Sequence, residues 1–171
     1  MFAIRGTAAG PLMHRIHLFL GEHVATRDPA PDGSGSDRAI YAGSDAGVTV
    51  NLATGTGQGG HAEGDTLMRI EDLIGSAYDD ILTGDGGNNR LVGGAGADVF
   101  VFNTGDGVVG DAIADFEDGM DSIRIHGSVS FGGLTITDSG GDAAVTWGQN
   151  NTLTFEGLDR TLLTADDFLF V

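Results

Sequence analysis

The chain has no cysteine, no lysine, three prolines and one tryptophan among 171 residues. Without cysteine there is no disulfide framework and no thiolate zinc site. An extracellular protein of this composition needs another staple, and bound metal is the obvious one, because a ligand held only by the native state stabilises it by mass action. Eight arginines are the only lysine-class charges, against 25 acidic residues, giving a formal net charge of -17. That balance excludes a broad phosphate-binding surface, so nucleic acid is not an expected partner. No apolar run approaches the roughly 18 residues of a membrane span, and none is expected. The stretch Leu12 to Leu20, LMHRIHLFL, is short and carries His14, Arg15 and His17, which the core of a secretory signal normally excludes. The length suits one domain with a real core, or a small domain with a tail, and is too short for a large enzyme.

What the chain has instead is glycine and aspartate, 30 and 20 residues, and they recur in phase. From Gly75 to Val101 it writes GSAYDDILT, GDGGNNRLV and GGAGADVFV: a six-residue glycine-rich turn ending in Asp or Asn, then three residues centred on a large apolar side chain. The preceding GDTLMRIEDLI, Gly64 to Ile74, keeps the register without the glycines. Leu73, Leu82, Leu91 and Phe100 therefore occupy one repeated position. Three-residue strands joined by six-residue turns coil the chain so that two nonapeptides complete a circuit, which stacks Asp80 on Asp98 and Glu71 on Asn89. Between stacked turns, carboxylate, amide and carbonyl oxygens can surround a hard divalent cation. Glycine suits such turns because some positions need backbone angles that a Cβ forbids, and because carbonyls must point inward at close range. A plain series of hairpins would explain the glycines but not Asp80, Asn89 and Asp98 at a single phase.

Outside the repeats the organisation is looser. Residues 1–38 lack a period and finish in RDPAPDGSGSDR, read as a linker. His14, His17 and His23 lie near one another there, without an HExxH helix or a matching carboxylate. Alternation around Val48, Val50 and Leu52 predicts a strand entering a sheet, followed by a flexible turn over Gly55, Gly57, Gly59 and Gly60. DAIADFEDGMDSIRI, residues 111–125, predicts a strand that caps the open end with acids at its rim; an acidic edge that deters strand pairing is the alternative for Asp118. LTIT (134–137), AAVTW (143–147) and NTLTF (151–155) predict antiparallel hairpins, with Trp147 and Phe155 in the core. The ending LTADDFLFV is an acidic pair followed by an apolar tail, which by itself reads as a last strand docked in the core.

Taken in order, VTVNLATG, GDTLMRIEDLIGSAYDD, the three nonapeptides, DAIADFEDGMDSIRI and DDFLFV resemble RTX proteins, whose repeat is G-G-x-G-x-D-x-U-x, and especially the C-terminal region of serralysin-like proteins exported through type I secretion. The likeness covers roughly residues 39–171. It implies an all-β fold: residues 1–38 as an unassigned segment and linker, a short parallel β-roll of calcium-binding repeats over 39–110, and a C-terminal antiparallel β cap with an uncleaved export signal over 111–171. By the same resemblance, one calcium site takes the side chains of Asp80 and Asp98 with carbonyls of Ser76, Tyr78, Gly93 and Ala95. A second takes Glu71 and Asn89 with carbonyls of Gly84 and Gly86. A third joins Gly94, Gly96 and Asp98 to Asp111, Asp115 or Asp121. Asn89 in place of Asp, and Ser76 and Tyr78 in place of glycine, predict weak binding at one or more of these sites.

The expected function is a secreted, extracellular, non-catalytic module that folds on calcium and supports type I secretion, as the C-terminal part of a longer protein. The expected partners are calcium ions and the secretion apparatus. Two alternatives are a surface adhesin or matrix-type binding module, and the remnant of a secreted enzyme such as a serralysin-like metalloprotease. Neither HExxH nor G-x-S-x-G occurs, so catalysis is not expected.

Overall fold

The computed structural model describes residues 24–26, 36–104, 109–148 and 151–171. The Leu12–Leu20 stretch, His14, His17, His23 and most of the linker lie outside the described residues. No helix among those described is long and apolar enough to cross a membrane.

The fold is all-β, built on the nine-residue spacing. The strands are β1 (Val24–Thr26), β2 (Arg38–Ile40), β3 (Thr49–Asn51), β4 (Thr56–Gln58), β5 (Asp72–Ile74), β6 (Ile81–Thr83), β7 (Arg90–Val92) and β8 (Val99–Asn103). They continue with β9 (Val109–Ile113), β10 (Ser122–His126), β11 (Thr135–Ser139), β12 (Asp142–Trp147), β13 (Asn151–Phe155) and β14 (Phe168–Phe170). One sheet has the order β1-β2-β5-β7-β9-β13-β12-β11 and the other β14-β10-β8-β6-β3-β4. From β5 to β10 the chain alternates between the sheets, each strand pairing in parallel with the strand one circuit away. Both sheets are mixed: β1–β2, β3–β4, β11–β12 and β12–β13 are antiparallel.

Each three-residue strand of the repeats points its middle residue inward, because side chains alternate along a strand. The registers align these residues in two columns: Ala39, Leu73, Leu91, Ile113 and Phe155 on one sheet, and Val50, Leu82, Phe100, Ile123 and Phe168 on the other. All ten are buried, and the two columns face each other across a single core.

The circuits are unequal. Stacked positions are 18 residues apart in the middle of the coil but 34 apart at its start and 22 or 23 apart at its end. The longer first circuit holds what the sequence presents as a flexible glycine turn: Gly57 is the middle residue of β4, which folds back on β3, and a one-turn 3₁₀ helix, Gly60–Ala62, leads on to β5. The segment 111–125 is not one capping strand. It contributes the end of β9 and most of β10, a further circuit whose turn carries Asp115, Asp118 and Asp121. Phe116 turns inward from that turn, edge-on to Phe155 at 5.3 Å and tilted against Phe100 at 6.4 Å between centroids, so an aromatic side chain of this turn packs into the core between residues of β8 and β13.

The cap is only partly antiparallel. β11, β12 and β13 form the expected hairpins, but β13 joins β9 in parallel and β14 joins β10 in parallel, so each sheet gains one more strand of the coil's own direction. The terminal acidic pair serves a local purpose. Asp167 accepts the Thr164 N–H at 2.6 Å in a capping box that opens the 3₁₀ helix Ala165–Asp167, and the chain then enters β14 with Phe168 buried and Leu169 exposed.

Candidate metal centre

β2, β6, β7, β8 and β10 each begin one residue after an Asp or Asn at the end of a turn, a position taken by Val48 before β3 and Glu71 before β5, and it presents a backbone problem. Its N–H has passed the end of the parallel ladder, yet it is buried and requires an acceptor. The side chain of the equivalent residue one circuit on provides it. Val48 N–H donates to Asp80 Oδ1 at 2.7 Å, Asp80 N–H to Asp98 Oδ1 at 2.9 Å, and Asp98 N–H to Asp121 Oδ1 at 2.9 Å. Along the opposite edge Asp37 N–H donates to Glu71 Oε2 at 2.7 Å and Asn89 N–H to Asp111 Oδ1 at 2.8 Å. The carboxylates thus continue the sheet's hydrogen bonding into the turns, in two columns.

The second oxygens separate the sites. Asp80 is well supplied: Oδ2 accepts the Ser76 N–H at 2.5 Å and Oδ1 also accepts the Ser76 hydroxyl at 2.8 Å. Asp121 Oδ2 accepts the Glu117 N–H at 2.9 Å. Asp98 Oδ2 and Asp111 Oδ2 are buried with no hydrogen-bond partner, in side chains each only 1% exposed. An orphaned carboxylate oxygen in such surroundings requires a proton or a cation. Burial accordingly pushes both Asp98 and Asp111 up to about 7, and it also raises Asp80 and Asp121. The charges of Asp121, Asp80 and Asp115 add to the effect at Asp98. The ion pairs of the described residues, Arg38–Asp72 at 2.8 Å, Arg90–Glu156 at 2.7 Å and His61–Asp45 at 4.0 Å, leave these buried aspartates uncompensated.

The backbone around Asp98 forms a cradle. Gly94 and Gly96 adopt φ of 104° and 124°, angles that side chains rarely tolerate. A Cβ on Gly94 would strike the carbonyl of Ser76, and one on Gly96 would lie 2.8 Å from the carbonyl oxygen of Tyr78. The turn 93–98 therefore lies directly over the turn 75–80, with carbonyls of the lower turn facing glycines of the upper one. Asp115 closes the same turn from the next circuit, accepting the N–H groups of Gly93 and Gly94, each at 2.9 Å. No group of three or more acidic, histidine or cysteine side chains among the described residues forms a metal cluster. Any cation here would take one or two carboxylates and complete its shell with carbonyls, a donor set that suits calcium and disfavours zinc.

Residues 70–109 match the RTX calcium-binding nonapeptide repeat, in four copies. No curated protein matches the chain. The RTX repeat supplies the turns on both edges, and the residues singled out from sequence fall among them unevenly. Ser76, Tyr78, Asp80, Gly93, Gly94, Gly96, Asp98, Asp115 and Asp121 belong to one edge of the coil. Ala95 and Gly86 are exposed turn residues. Gly84 packs beside Asn89, where a Cβ would lie 2.6 Å from Oδ1. Asp111 stands with Asn89 on the other edge, apart from Asp98. Glu71 stacks on Asn89 through its carbonyl, which accepts the Asn89 side-chain amide at 3.3 Å, while its carboxylate turns away to Asp37. Sequence reading missed Asp79, whose Oδ1 accepts the Ala97 N–H at 2.8 Å and ties the two stacked turns together, and it missed Asp85.

Proposed function

We propose that the chain is a non-catalytic calcium-binding module whose central circuits form a parallel β-roll completed by the metal. The observation that carries this reading is the pair of buried, unpartnered oxygens on Asp98, in a turn of the matched calcium-binding repeat, and on Asp111, in β9 just beyond the matched residues. Asp98 would hold calcium on one edge with Asp80, Asp115 and Asp121 nearby, and Asp111 on the other. Bound calcium supplies the positive charge that lets these carboxylates be buried ionised. The chain's own residues do the rest: the aspartates hold the turn N–H groups, the glycines allow close stacking, and Phe116 anchors the turn between β9 and β10 in the core. A site with Kd of about 0.1 mM, at about 10 mM ion, adds about 2.7 kcal/mol of stability. Without the ion, mutual repulsion of the carboxylates and the entropy of the glycines oppose folding.

The same reading makes the module secreted, exported through a type I apparatus as the C-terminal part of a longer protein and folding only in extracellular calcium. Its support is the resemblance of the repeats and the tail. Isothermal titration of metal-depleted protein with calcium chloride is the test of binding: saturable uptake is expected, and no uptake up to about 10 mM contradicts it. Deleting Asp166–Val171 tests export, and unchanged secretion would remove that part of the reading.

A further inference from the structure

Asn89 occupies the position where its neighbours in the array carry a carboxylate, and Glu71, one circuit away, turns its own carboxylate towards Asp37. The turn 84–89 nevertheless holds a negative charge, at its second residue. Asp85 and Asn89 are bonded in both directions: the Asp85 N–H donates to Asn89 Oδ1 at 2.7 Å, and Asn89 Nδ2 donates to Asp85 Oδ1 at 3.3 Å. Asp85 Oδ1 also accepts the Gly87 N–H at 2.7 Å, so these contacts engage only one of its two oxygens. The next circuit lies directly against this turn: a Cβ on Gly110 would sit 3.3 Å from Asn88 Nδ2, and Asp111 accepts the Asn89 N–H through Oδ1. Asp111 Oδ2 is left buried and without a partner, and Asn89 is bonded to both Asp111 and Asp85.

We propose that Asp85 and Asp111 are the carboxylate pair of a calcium site on this second edge, with Asp85 standing in for the carboxylate that Asn89 lacks. Two like charges held on either side of one asparagine repel unless a cation lies between them, and calcium affinity rises with the number of charged ligands. Asn89 then acts as a positioning residue. Its amide oxygen takes the Asp85 N–H, as Asp80 takes the Ser76 N–H, and its amide nitrogen donates to the Asp85 carboxylate, which an ionised aspartate could not do. The displaced charge is specific to this turn: the equivalent second residues of the flanking turns are Ser76 and Gly94.

This inference rests on the calcium reading of the repeats, and the test separates the two. Calcium titration of the full chain is compared for the wild type, Asp85→Asn, Asp111→Asn and the double variant Asp85→Gly/Asn89→Asp, with Asp118→Asn, a charge loss in an exposed turn, as control. Asp85→Asn keeps the oxygen that accepts the Gly87 and Asn89 donors, so the turn is retained. It is expected to lose one bound calcium per chain or to weaken one site about tenfold or more, as Asp111→Asn does, while Asp118→Asn changes neither. The double variant, which moves the charge back to position 89, is expected to restore the wild-type stoichiometry. Unchanged stoichiometry and affinity in Asp85→Asn would overturn the inference and leave calcium binding by the repeats intact. A wild-type chain that binds no calcium would overturn both.

Discussion

Phe100→Ala is expected to cost about 3 to 5 kcal/mol of folding free energy in calcium, enough to unfold a domain of this size. Phe100 is fully buried in the middle of its column, between Leu82 and Ile123, and packs against Phe116 from the turn between β9 and β10. Removing it opens a cavity that two parallel neighbours cannot fill without breaking their register. Val99, the preceding residue, faces outward and is half-buried, so Val99→Ala should cost only about 1 kcal/mol. Urea unfolding of both variants at saturating calcium measures the difference. Equal costs at positions 99 and 100 would contradict the inward column on which the fold depends.

The second large effect is a reversal of pH dependence by metal. Asp98 and Asp111 are held near 7 in the folded chain by burial, whereas an unfolded aspartate titrates near 3.9. The folded state therefore binds more protons between those values. The stability this contributes is complete at about pH 4 and is lost as pH rises through about 7. Metal-depleted protein should accordingly gain β structure and thermal stability on acidification from pH 8 to pH 5. Calcium requires the ionised carboxylates, so its apparent affinity should fall by up to about tenfold per pH unit for each such carboxylate below 7. Asp98→Asn and Asp111→Asn should each flatten both trends. Circular dichroism melts across that range, with and without calcium, provide the check; a metal-free chain that melts at higher temperature at pH 8 than at pH 5 would contradict it.

Much of the coil is legible from the nine-residue spacing. Leu73, Leu82, Leu91 and Phe100 fall at one phase, and that phase is buried, because a three-residue strand presents one side chain to the core. The stacking of Asp80 on Asp98 follows from the same count. Where the circuit lengthens, the count fails. TGTGQGG reads as a turn, yet its Gly57 pairs with Val50 in a hairpin, since backbone pairing needs no side chain to announce it. Residues 111–125 read as one strand because their apolar residues alternate, and only long-range packing of Phe116 on Phe155 reveals the turn within. The parallel docking of β13 and β14 is equally non-local.

At the site, the sequence identifies the acidic positions but not their tasks. That the aspartates accept backbone N–H groups from the preceding circuit depends on where the ladder ends, which spacing alone does not fix. Glu71 has one more methylene than the aspartates, and it reaches back to Asp37 rather than facing Asn89. The one signal for Asp85 was available: an aspartate at a glycine position in the same turn that lacks its terminal carboxylate.

The most direct measurement is far-UV circular dichroism of the metal-depleted chain at neutral pH during calcium titration, with magnesium as control. The account predicts a cooperative transition from coil to β structure at sub-millimolar to millimolar calcium and none with magnesium, whose preference for tight octahedral geometry and retained water fits a carbonyl-lined turn poorly. A spectrum already β-rich in chelator and unmoved by calcium would contradict it.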